Sequence, residues 1–502
     1  MSCVIGLDIG TTSTIGILIR LPDRMLALAS RPVTLSSPRP GWAEEDPEQW
    51  WSNSCAIIRE LLSASGMPAE AVGGLGVTGM LPAVVLLDEQ GGLLRPSIQQ
   101  SDARCAAEVG ELRAEMNEAR FLARAGNGIN QQLVTAKLRW VERHEPAVFA
   151  RIATVFGSYD YVNWRLTGER AVEQNWALEA GFVDLARDEI ADELVAWAHV
   201  PRGAVPRKIA SHAVLGHVSA AAATATGVRA GTPVVGGAAD MIASALGAGI
   251  IRAGDVLLKF GGAIDVMTAA SRARPDPRLY LDYHLVPGLF MPNGCMATGG
   301  SALNWFAAGF APGLRPAAEA QGLTLHQHLD RLADAVPPGA DGVRVLPYFL
   351  GEKTPIHDPL ARGAFTGLSL SHGPGHLWRA LLEAYAYAIR HHVEVLRDIG
   401  YDAERFFVSD GGAQSRTWMQ ITADILQQPL QSLTRHPGSC LGAAWTAAVG
   451  TGLAEDWAGA TRFVGQGVRF APNRDRDRAT LYDEGYRAFR DLYRRLASPA
   501  DG

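Results

Sequence analysis

The chain begins with two short apolar stretches on either side of a turn rich in glycine and hydroxyl side chains. Residues 4–7 (VIGL) lead into the turn, and residues 15–18 (IGIL) lead out of it. Such runs are typical of mostly buried strands in a hairpin. The pattern therefore predicts a strand, a tight turn and a second strand, with Asp8 near the end of the first strand.

The predicted turn has the chemistry of a phosphate site. Gly10 lets the backbone approach a ligand closely. The next three residues, Thr11, Thr12 and Ser13, offer amides and hydroxyls that can donate to phosphate oxygens. Asp8 would supply a hard oxygen ligand for Mg²⁺. An ordinary hairpin whose turn is rich in glycine and threonine is the alternative interpretation.

Apolar strands alternate with helical segments along the rest of the chain, which indicates an α/β protein. Asp46 is expected to cap the first helix, with Gln49 reaching back to the cap. At the end of the chain, a packed helix is favoured over a partner-binding one. The predicted strands lie at residues 72–77, 83–87 and 405–408, and the predicted helices at residues 47–65, 103–116, 137–143, 376–397, 415–427 and 479–496.

A second strand–turn–strand pattern, over residues 255–267, repeats the first about one domain length later. The recurrence suggests two related lobes that grip one nucleotide from opposite sides. We therefore divide the chain into an N-terminal lobe, residues 1–248, and a C-terminal lobe, residues 249–502.

Composition narrows the class of protein and its location. A chain of 502 residues is too long for one ordinary core, and 47% hydrophobic with 20% charged residues describes a globular protein. A formal net charge of -6 argues against general nucleic-acid binding. Five scattered cysteines, no leader-like start and no long apolar run lead us to expect a cytoplasmic protein without a disulfide framework or a membrane span.

Asp240 follows an apolar strand and a turn of small residues, at the start of a predicted helix. Phosphoryl transfer to an alcohol needs a group that accepts the hydroxyl proton, and Asp240 is the candidate base. A helix N-cap is the alternative role, since aspartate is a preferred capping residue. Both roles fit the sequence.

Four motifs together resemble the FGGY family of carbohydrate kinases. They are residues 7–13 (LDIGTTS), 236–240 (GGAAD), 350–368 (LGEKTPIHDPLARGAFTGL) and 410–413 (DGGA). They occur in the family's order, and the third motif is the most specific. The resemblance runs from residue 7 to about residue 450 and so covers nearly the whole chain.

The resemblance implies an actin-like, ribonuclease-H-like fold of two lobes, which would close on ATP, Mg²⁺ and a sugar or polyol. Asp240 would then be the catalytic base, and Asp8 would help to hold Mg²⁺. The residues expected at the phosphates are Thr11, Thr12, Ser13, Gly261 and Gly262, and those expected nearer the nucleoside are Gly300, Gly412 and Ala413.

Within the family, residues 41–51 and 85–96 are most similar to the xylulokinase branch. The expected sugar contacts differ from that branch. Met80, Leu81 and Pro82 stand where it generally carries Gln-Met-His. A proline there has no side-chain donor for a sugar hydroxyl.

Residues 100–104 (QSDAR) stand where the branch usually has Trp-Asn-Asp before an arginine. Asp102 and Arg104 are retained, and they could bind sugar hydroxyls or pair with each other. Gly262 leaves only backbone donors in the second turn, where related kinases commonly have threonine or serine. These differences bear on the substrate more than on the reaction.

The leading hypothesis is an ATP-dependent kinase that phosphorylates a hydroxyl of a ketopentose or related polyol, with D-xylulose as the first candidate. One alternative is a kinase for another sugar, polyol or sugar acid of the family. Another is a non-catalytic nucleotide or sugar sensor, or an actin-like ATPase. The expected partners are ATP and a small sugar or polyol, without nucleic acid or membrane, and with a homodimer as the oligomeric form to test.

Overall fold

The computed structural model describes residues 2–497 of the chain. The backbone forms two compact units. The first comprises residues 2–251, 271–291 and 435–464, and the second comprises residues 252–270, 292–434 and 465–497. The mixture of strands and helices confirms the predicted α/β class. The division into lobes at residue 248 stays a prediction.

The strands are short, and most of them belong to two larger sheets. Their bounds are Cys3–Ile9, Ser13–Arg20, Arg24–Pro32, Glu44–Glu45, Val72–Gly79, Val85–Leu87, Ser97–Ile98, Thr154–Phe156, Ala171–Glu173, Val183–Asp184, Glu189–Ile190, Arg207–Ile209, Val214–His217, Pro233–Val235, Ala238–Ala239, Asp255–Phe260, Ile264–Thr268, Tyr280–Tyr283, Phe290–Met296, Arg344–Leu346, Ala364–Thr366, Arg405–Ser409, Leu430–Arg435 and Gly465–Phe470.

The helices range from single turns to more than seven turns. Their bounds are Pro47–Ser65, Ala106–Glu115, Glu118–Ala125, Val134–His144, Pro146–Phe149, Ser158–Thr167, Gln174–Glu179, Asp192–Val195, Ala220–Thr226, Asp240–Gly247, Gly300–Phe310, Arg315–Glu319, Leu325–Asp334, Pro374–Ile399, Arg416–Leu426, Ser439–Gly450 and Arg476–Leu496. Among the described residues, none of these helices is long and apolar enough to cross a bilayer.

The start of the first helix shows how local chemistry sets a boundary. The Asp46 side chain caps the helix, because it accepts a hydrogen bond from the amide of Glu48 at 2.9 Å. Gln49 does not reach back to the cap as predicted. Its side-chain oxygen instead accepts the amide of Thr34 at 2.9 Å, which ties the helix to the preceding loop.

The main sheet of the first unit is built around the opening hairpin. Its strand order is Val214–His217, Pro233–Val235, Val72–Gly79, Cys3–Ile9, Ser13–Arg20 and Arg24–Pro32, and Ala238–Ala239 also pairs with Val72–Gly79. The first three strands of the chain pair antiparallel, as a continuous meander. The strand that follows the first helix, Val72–Gly79, runs parallel to Cys3–Ile9.

The main sheet of the second unit repeats this arrangement. Its strand order includes Phe290–Met296, Ile264–Thr268, Asp255–Phe260, Arg405–Ser409, Leu430–Arg435 and Gly465–Phe470. The first three of these pair antiparallel. Arg405–Ser409 then runs parallel to the hairpin strand Asp255–Phe260, and Leu430–Arg435 runs parallel to Arg405–Ser409. The shared strand order agrees with the predicted relationship between the two halves of the chain.

The Ser439–Gly450 helix packs at backbone distance in the first unit. A Cβ atom at Gly6, on the Cys3–Ile9 strand, would overlap a carbonyl oxygen of this helix. A Cβ atom at Gly442, on the helix, would overlap a carbonyl oxygen of the Asp240–Gly247 helix. Glycine is therefore required at both crossings, since any other side chain would force the elements apart.

The Arg476–Leu496 helix is packed, as predicted for the end of the chain. Tyr482, Tyr486 and Phe489 are buried on one face. Their ring centroids lie 6.4, 6.2 and 5.9 Å, respectively, from the ring centroid of Tyr387. These contacts belong to the core of the second unit.

Candidate functional site

Strand register brings the candidate residues of the first unit to one edge of its sheet. Asp8 is paired in register with Thr78 on the neighbouring parallel strand. Thr78 is in turn paired with Ala238, on the short parallel strand Ala238–Ala239. Met80 and Asp240 directly follow the ends of their strands. The carboxyl ends of parallel strands are where open α/β sheets bind ligands. Residues far apart in the sequence thus lie together at one edge of the sheet.

The opening turn has the predicted form. The Gly10 amide donates to the carbonyl oxygen of Ser13 at 3.1 Å and closes the turn. Thr12 is exposed, whereas Thr11 and Ser13 are half-buried. The hydroxyl of Thr11 lies 3.7 Å from the sulfur of Met80, so the turn contacts the segment expected to bind sugar.

Asp8 is half-buried beside this turn. The hydroxyl of Ser439 donates to Oδ2 of Asp8 at 2.6 Å. Ser439 is the first residue of the Ser439–Gly450 helix, which lies directly on the Asp8 strand. The sequence indicated a helix start here but no link to Asp8.

Asp240 is the first residue of the Asp240–Gly247 helix and is half-buried. The amide of Met241 donates to its Oδ1 atom at 2.6 Å. The N-cap position belongs to Ala239, whose backbone is extended, so Asp240 is not the N-cap. A carboxylate in the first turn is nevertheless favoured by the helix dipole. Its role as a base stays a prediction.

The segment Met80, Leu81 and Pro82 is buried and tightly held. The Met80 amide donates to the carbonyl oxygen of Ile9 at 3.1 Å, which extends the pairing of the parallel strands. The hydroxyl of Ser158 donates to the Met80 carbonyl oxygen at 2.7 Å. The segment is therefore positioned from both sides, by the sheet and by a neighbouring helix.

Asp102 and Arg104 pair with each other, and both side chains are 0% exposed. Nε and Nη2 of Arg104 donate to the two carboxylate oxygens at 2.8 and 2.7 Å. The guanidinium lies 3.8 Å from the ring centroid of Trp42 and also pairs with Glu44 at 2.8 Å. Burial alone would raise the pKa of Asp102, but the Arg104 hydrogen bonds and the Ala43 amide hold it below its usual value.

The mutual pair, one of the two alternatives for these residues, is thus present. Its oxygens and N–H groups satisfy each other in a low-dielectric setting. Contact of Asp102 or Arg104 with a sugar hydroxyl stays a prediction, and complete burial of both side chains counts against it.

The second unit carries a cavity of about 890 Å³ at the edge of its own sheet. As in the first unit, two neighbouring parallel strands end close to the same level, because Lys259 is paired in register with Ser409. The turns that follow these two strands therefore lie side by side. A cavity of this size suits a nucleotide-sized ligand.

Four residues predicted to contact the nucleotide line this cavity, namely Gly261, Gly262, Gly300 and Gly412. Ala413 lies in the same short turn, Gly411–Gln414, as cavity-lining residues. The amide of Gly300 donates to the carbonyl oxygen of Gly261 at 2.9 Å. This bond joins the start of the Gly300–Phe310 helix to the glycine turn.

Three residues of the cavity wall were missed by sequence reasoning. Asp330 accepts the indole N–H of Trp378 at 2.8 Å through Oδ1 and the hydroxyl of Ser415 at 2.7 Å through Oδ2. Burial raises the pKa of Asp330, although both hydrogen bonds oppose that shift. Each residue comes from a different helix or helix cap, so no local motif could have revealed the cluster.

The described residues contain no group of three or more histidine, cysteine, aspartate or glutamate side chains placed to hold a metal ion. A Mg²⁺ site needs less, because this ion is commonly held by one or two carboxylates together with substrate phosphates. Asp8, with hydroxyls and amides of the turn beside it, has donor chemistry that fits such a site.

Comparisons with known proteins agree with this geometry. A model of the N-terminal domain of the FGGY family of carbohydrate kinases matches residues 3–247. A model of the family's C-terminal domain matches residues 262–451. Together the two matches cover most of the chain.

Individual related proteins also match this chain over most of its length. The xylulose kinase of Escherichia coli strain K12 is 32% identical over 88% of this chain and 88% of its own. The xylulose kinase of Bacillus subtilis strain 168 is 27% identical over 99% of this chain and 97% of its own. The crystal structure of xylulose kinase from Rhodospirillum rubrum has a TM-score of 0.93 at 61% identity, covering 98% of this chain and 99% of that one.

These matches confirm the family resemblance of the four motifs and the actin-like, ribonuclease-H-like fold. They also confirm the predicted activity, with ATP and a sugar as substrates. The chain belongs to the FGGY family of carbohydrate kinases and is an ATP-dependent sugar kinase.

Proposed function

We propose that this kinase phosphorylates a hydroxyl of a ketopentose, with D-xylulose as the first substrate to test. One observation carries the proposal: strand register gathers Asp8, residues 80–82 and Asp240 at one edge of the sheet. Support for the choice of sugar comes from the relatives named above, which are xylulose kinases.

Asp240 is the proposed base. Its carboxylate would accept the proton of the attacking hydroxyl as the new oxygen–phosphorus bond forms. The Met241 amide donates to Oδ1 and so restricts the orientation of the carboxylate. Orientation matters because most of the catalysis in phosphoryl transfer comes from positioning and from stabilising charge.

Asp8 is proposed to help hold Mg²⁺, with Ser439 orienting it through the 2.6 Å hydrogen bond to Oδ2. When bound, Mg²⁺ would neutralise charge on the phosphate oxygens. The backbone amides and hydroxyls of Thr11, Thr12 and Ser13 would donate to the same phosphates. Gly10 makes the turn tight enough to present these donors together.

The cavity of the second unit is proposed to take ATP. Gly261 and Gly262 would lie at the phosphates, with Gly300, Gly412 and Ala413 nearer the nucleoside. Small residues suit this role because a Cβ atom at Gly412 would crowd the Phe260 backbone and the Trp418 ring. The second turn carries no hydroxyl, so its phosphate contacts would come from backbone amides alone.

The identity of the sugar is proposed to depend on Met80, Leu81, Pro82, Asp102 and Arg104, although burial of the Asp102–Arg104 pair counts against direct contact of these two with the sugar. Pro82 offers no side-chain donor where the xylulokinase branch generally has histidine. This difference favours one alternative, namely a different ketose, polyol or sugar acid as the preferred substrate. Phosphorylation of D-xylulose and of any of these other substrates requires the same phosphate binding and the same base.

The test is sugar-dependent ADP release by purified protein with ATP and Mg²⁺. The substrate panel should contain pentuloses, hexuloses, polyols and sugar acids. We expect turnover of D-xylulose. Turnover of a different compound alone would replace the proposed substrate, and no turnover of any compound would refute the proposed function.

A pair of variants tests the base. Asp240→Asn should lower kcat by several orders of magnitude while ATP binding, measured by calorimetry, stays near the wild-type value. Asp23→Asn, at an exposed residue of the same unit, is the matched control and should retain full activity. An active Asp240→Asn enzyme would exclude Asp240 as the base.

Further expectations accompany this proposal. They are lobes at residues 1–248 and 249–502, a homodimer, and a cytoplasmic location without nucleic-acid partners. Sedimentation equilibrium decides the oligomeric state, and separate expression of the two lobes tests the division at residue 248.

A further inference from the structure

Lys137 is a buried charge to which the proposed reaction gives no role. It lies on the Val134–His144 helix, and it is one of only four lysines in the chain. Its side chain is wholly buried. A buried ammonium is costly unless its N–H groups are hydrogen-bonded, so its partners show what compensates the charge.

The partners are two backbone carbonyl groups. Nζ of Lys137 donates to the carbonyl oxygen of Gln99 at 2.7 Å and to the carbonyl oxygen of Pro82 at 3.3 Å. Pro82 ends one segment assigned to the sugar, and Gln99 directly precedes the other, residues 100–104. One ammonium thus bonds to the last residue of one segment and to the residue directly before the other.

Backbone pairing between the two segments stops at Pro82. Val84 and Ile98 exchange two N–H···O hydrogen bonds, at 2.9 and 3.0 Å. In a continued antiparallel ladder, the next such exchange would join Pro82 and Gln100. Pro82 has no N–H, so the ladder cannot continue in that way. The Pro82 and Gln99 carbonyl groups instead accept hydrogen bonds from Lys137, at the side of the ladder.

We propose that Lys137 is a positioning residue of the sugar site: its ammonium ties the carbonyl groups of Pro82 and Gln99 together and sets the spacing between residues 80–82 and 100–104. The inference rests on the proposed function, which assigns these two segments to the sugar. Lys137 acts through the two carbonyl groups and not by contact with sugar or ATP.

Lysine suits this position better than arginine. An ammonium is a compact donor that can direct separate N–H groups to two carbonyl oxygens, whereas a guanidinium is a planar fork matched to carboxylates. The titratable and charged groups that face Lys137 are Cys105, Asp102, Arg104 and Glu179. Burial lowers the pKa of Lys137 to about 8, so the ammonium form still dominates at neutral pH.

The kinetic test compares two variants. Lys137→Met removes the donors and keeps an unbranched side chain. Lys208→Met is the matched control, because Lys208 lies in the same unit and pairs at 2.6 Å with Asp188, which belongs to neither segment.

We expect Lys137→Met to raise KM for the sugar about tenfold, the change that corresponds to one hydrogen bond from a charged donor. KM for ATP should change by less than about twofold, because the nucleotide residues do not depend on this spacing. Lys208→Met should leave both constants near the wild-type values. A sugar KM that is unchanged, or equal increases in both constants, would overturn the proposal.

Amide hydrogen exchange decides the same question without a substrate. In Lys137→Met, exchange should accelerate about tenfold in peptides covering residues 80–86 and 98–105 and should be unchanged in the Ser13–Arg20 strand. Uniform acceleration, or none, would contradict a positioning role. If the wild type phosphorylates no sugar, the proposed function fails, and this measurement still decides the role of Lys137.

Discussion

The hydroxyl of Ser439 donates to Oδ2 of Asp8 at 2.6 Å and joins residues that are 431 positions apart in the chain. This contact ties the turn proposed to bind phosphate to the start of the Ser439–Gly450 helix. A hydrogen bond to an ionised carboxylate is short and strong, and it limits the rotation of the group that accepts it. Ser439 is therefore placed to keep Asp8 oriented.

Replacing Ser439 tests this relationship. Ser439→Ala should lower kcat/KM for ATP about tenfold at limiting Mg²⁺, which corresponds to the loss of one charge-assisted hydrogen bond. Steady-state kinetics over a range of Mg²⁺ concentrations measures the effect. Ser52→Ala, on an exposed helix face of the same unit, provides the control. A variant with unchanged Mg²⁺ dependence would show that Asp8 needs no such orientation.

Gly442 should tolerate no side chain. A Cβ atom there would overlap the carbonyl oxygen of Ala243, so Gly442→Ala should lower the free energy of unfolding by about 1–3 kcal/mol or more. Gly110 provides a control of opposite sign, because it lies exposed on a helix with open space around its Cα atom. Gly110→Ala should stabilise the protein by about 0.5–1 kcal/mol. Urea denaturation compares the two, and equal effects would refute the close packing.

Asp330 should support the cavity that is proposed to take ATP. Asp330→Ala removes the acceptor of both Trp378 and Ser415. Trp378 and Ser415 would then no longer be held in place in the cavity wall, so affinity for ADP should fall about tenfold while KM for the sugar stays near the wild-type value. Calorimetric titration with ADP measures the change, and Asp402→Ala, at an exposed site in the same unit, serves as the control. Wild-type ADP affinity in Asp330→Ala would remove Asp330 from the site.

The buried ammonium of Lys137 should give stability an alkaline dependence. Burial lowers its pKa to about 8 from 10.5. Between these values the unfolded chain binds a proton that the folded chain does not, so stability rises with pH in this window. Relative to Lys137→Met, the wild type should gain up to about 3 kcal/mol between pH 8 and pH 10.5, at about 1.4 kcal/mol per pKa unit.

Denaturation of the two proteins over pH 7 to about 10 measures this difference, because other titrating groups cancel between them. A difference in stability that does not change with pH would mean that the lysine keeps an ordinary pKa in the folded protein.

Several elements could be predicted because their information is local. The helix predicted over residues 376–397 is observed as Pro374–Ile399, and both glycine-turn hairpins occur where the apolar runs placed them. Apolar periodicity and capping residues act over a few neighbouring positions, which is why sequence reasoning detects them. Gln49 failed as part of a cap because Thr34, which lies outside the motif, competes for its side chain.

Residue types at short, regular spacing were enough to predict the two glycine-turn hairpins, the α/β class and the family. Contacts between residues far apart in the sequence became known from the folded chain alone. Strand register placed Asp8 and Asp240 at one edge of a sheet, and helix packing brought Ser439 to Asp8 and Lys137 to two backbone carbonyl groups. Such contacts depend on how whole strands and helices pack against one another, so no local sequence pattern predicts them.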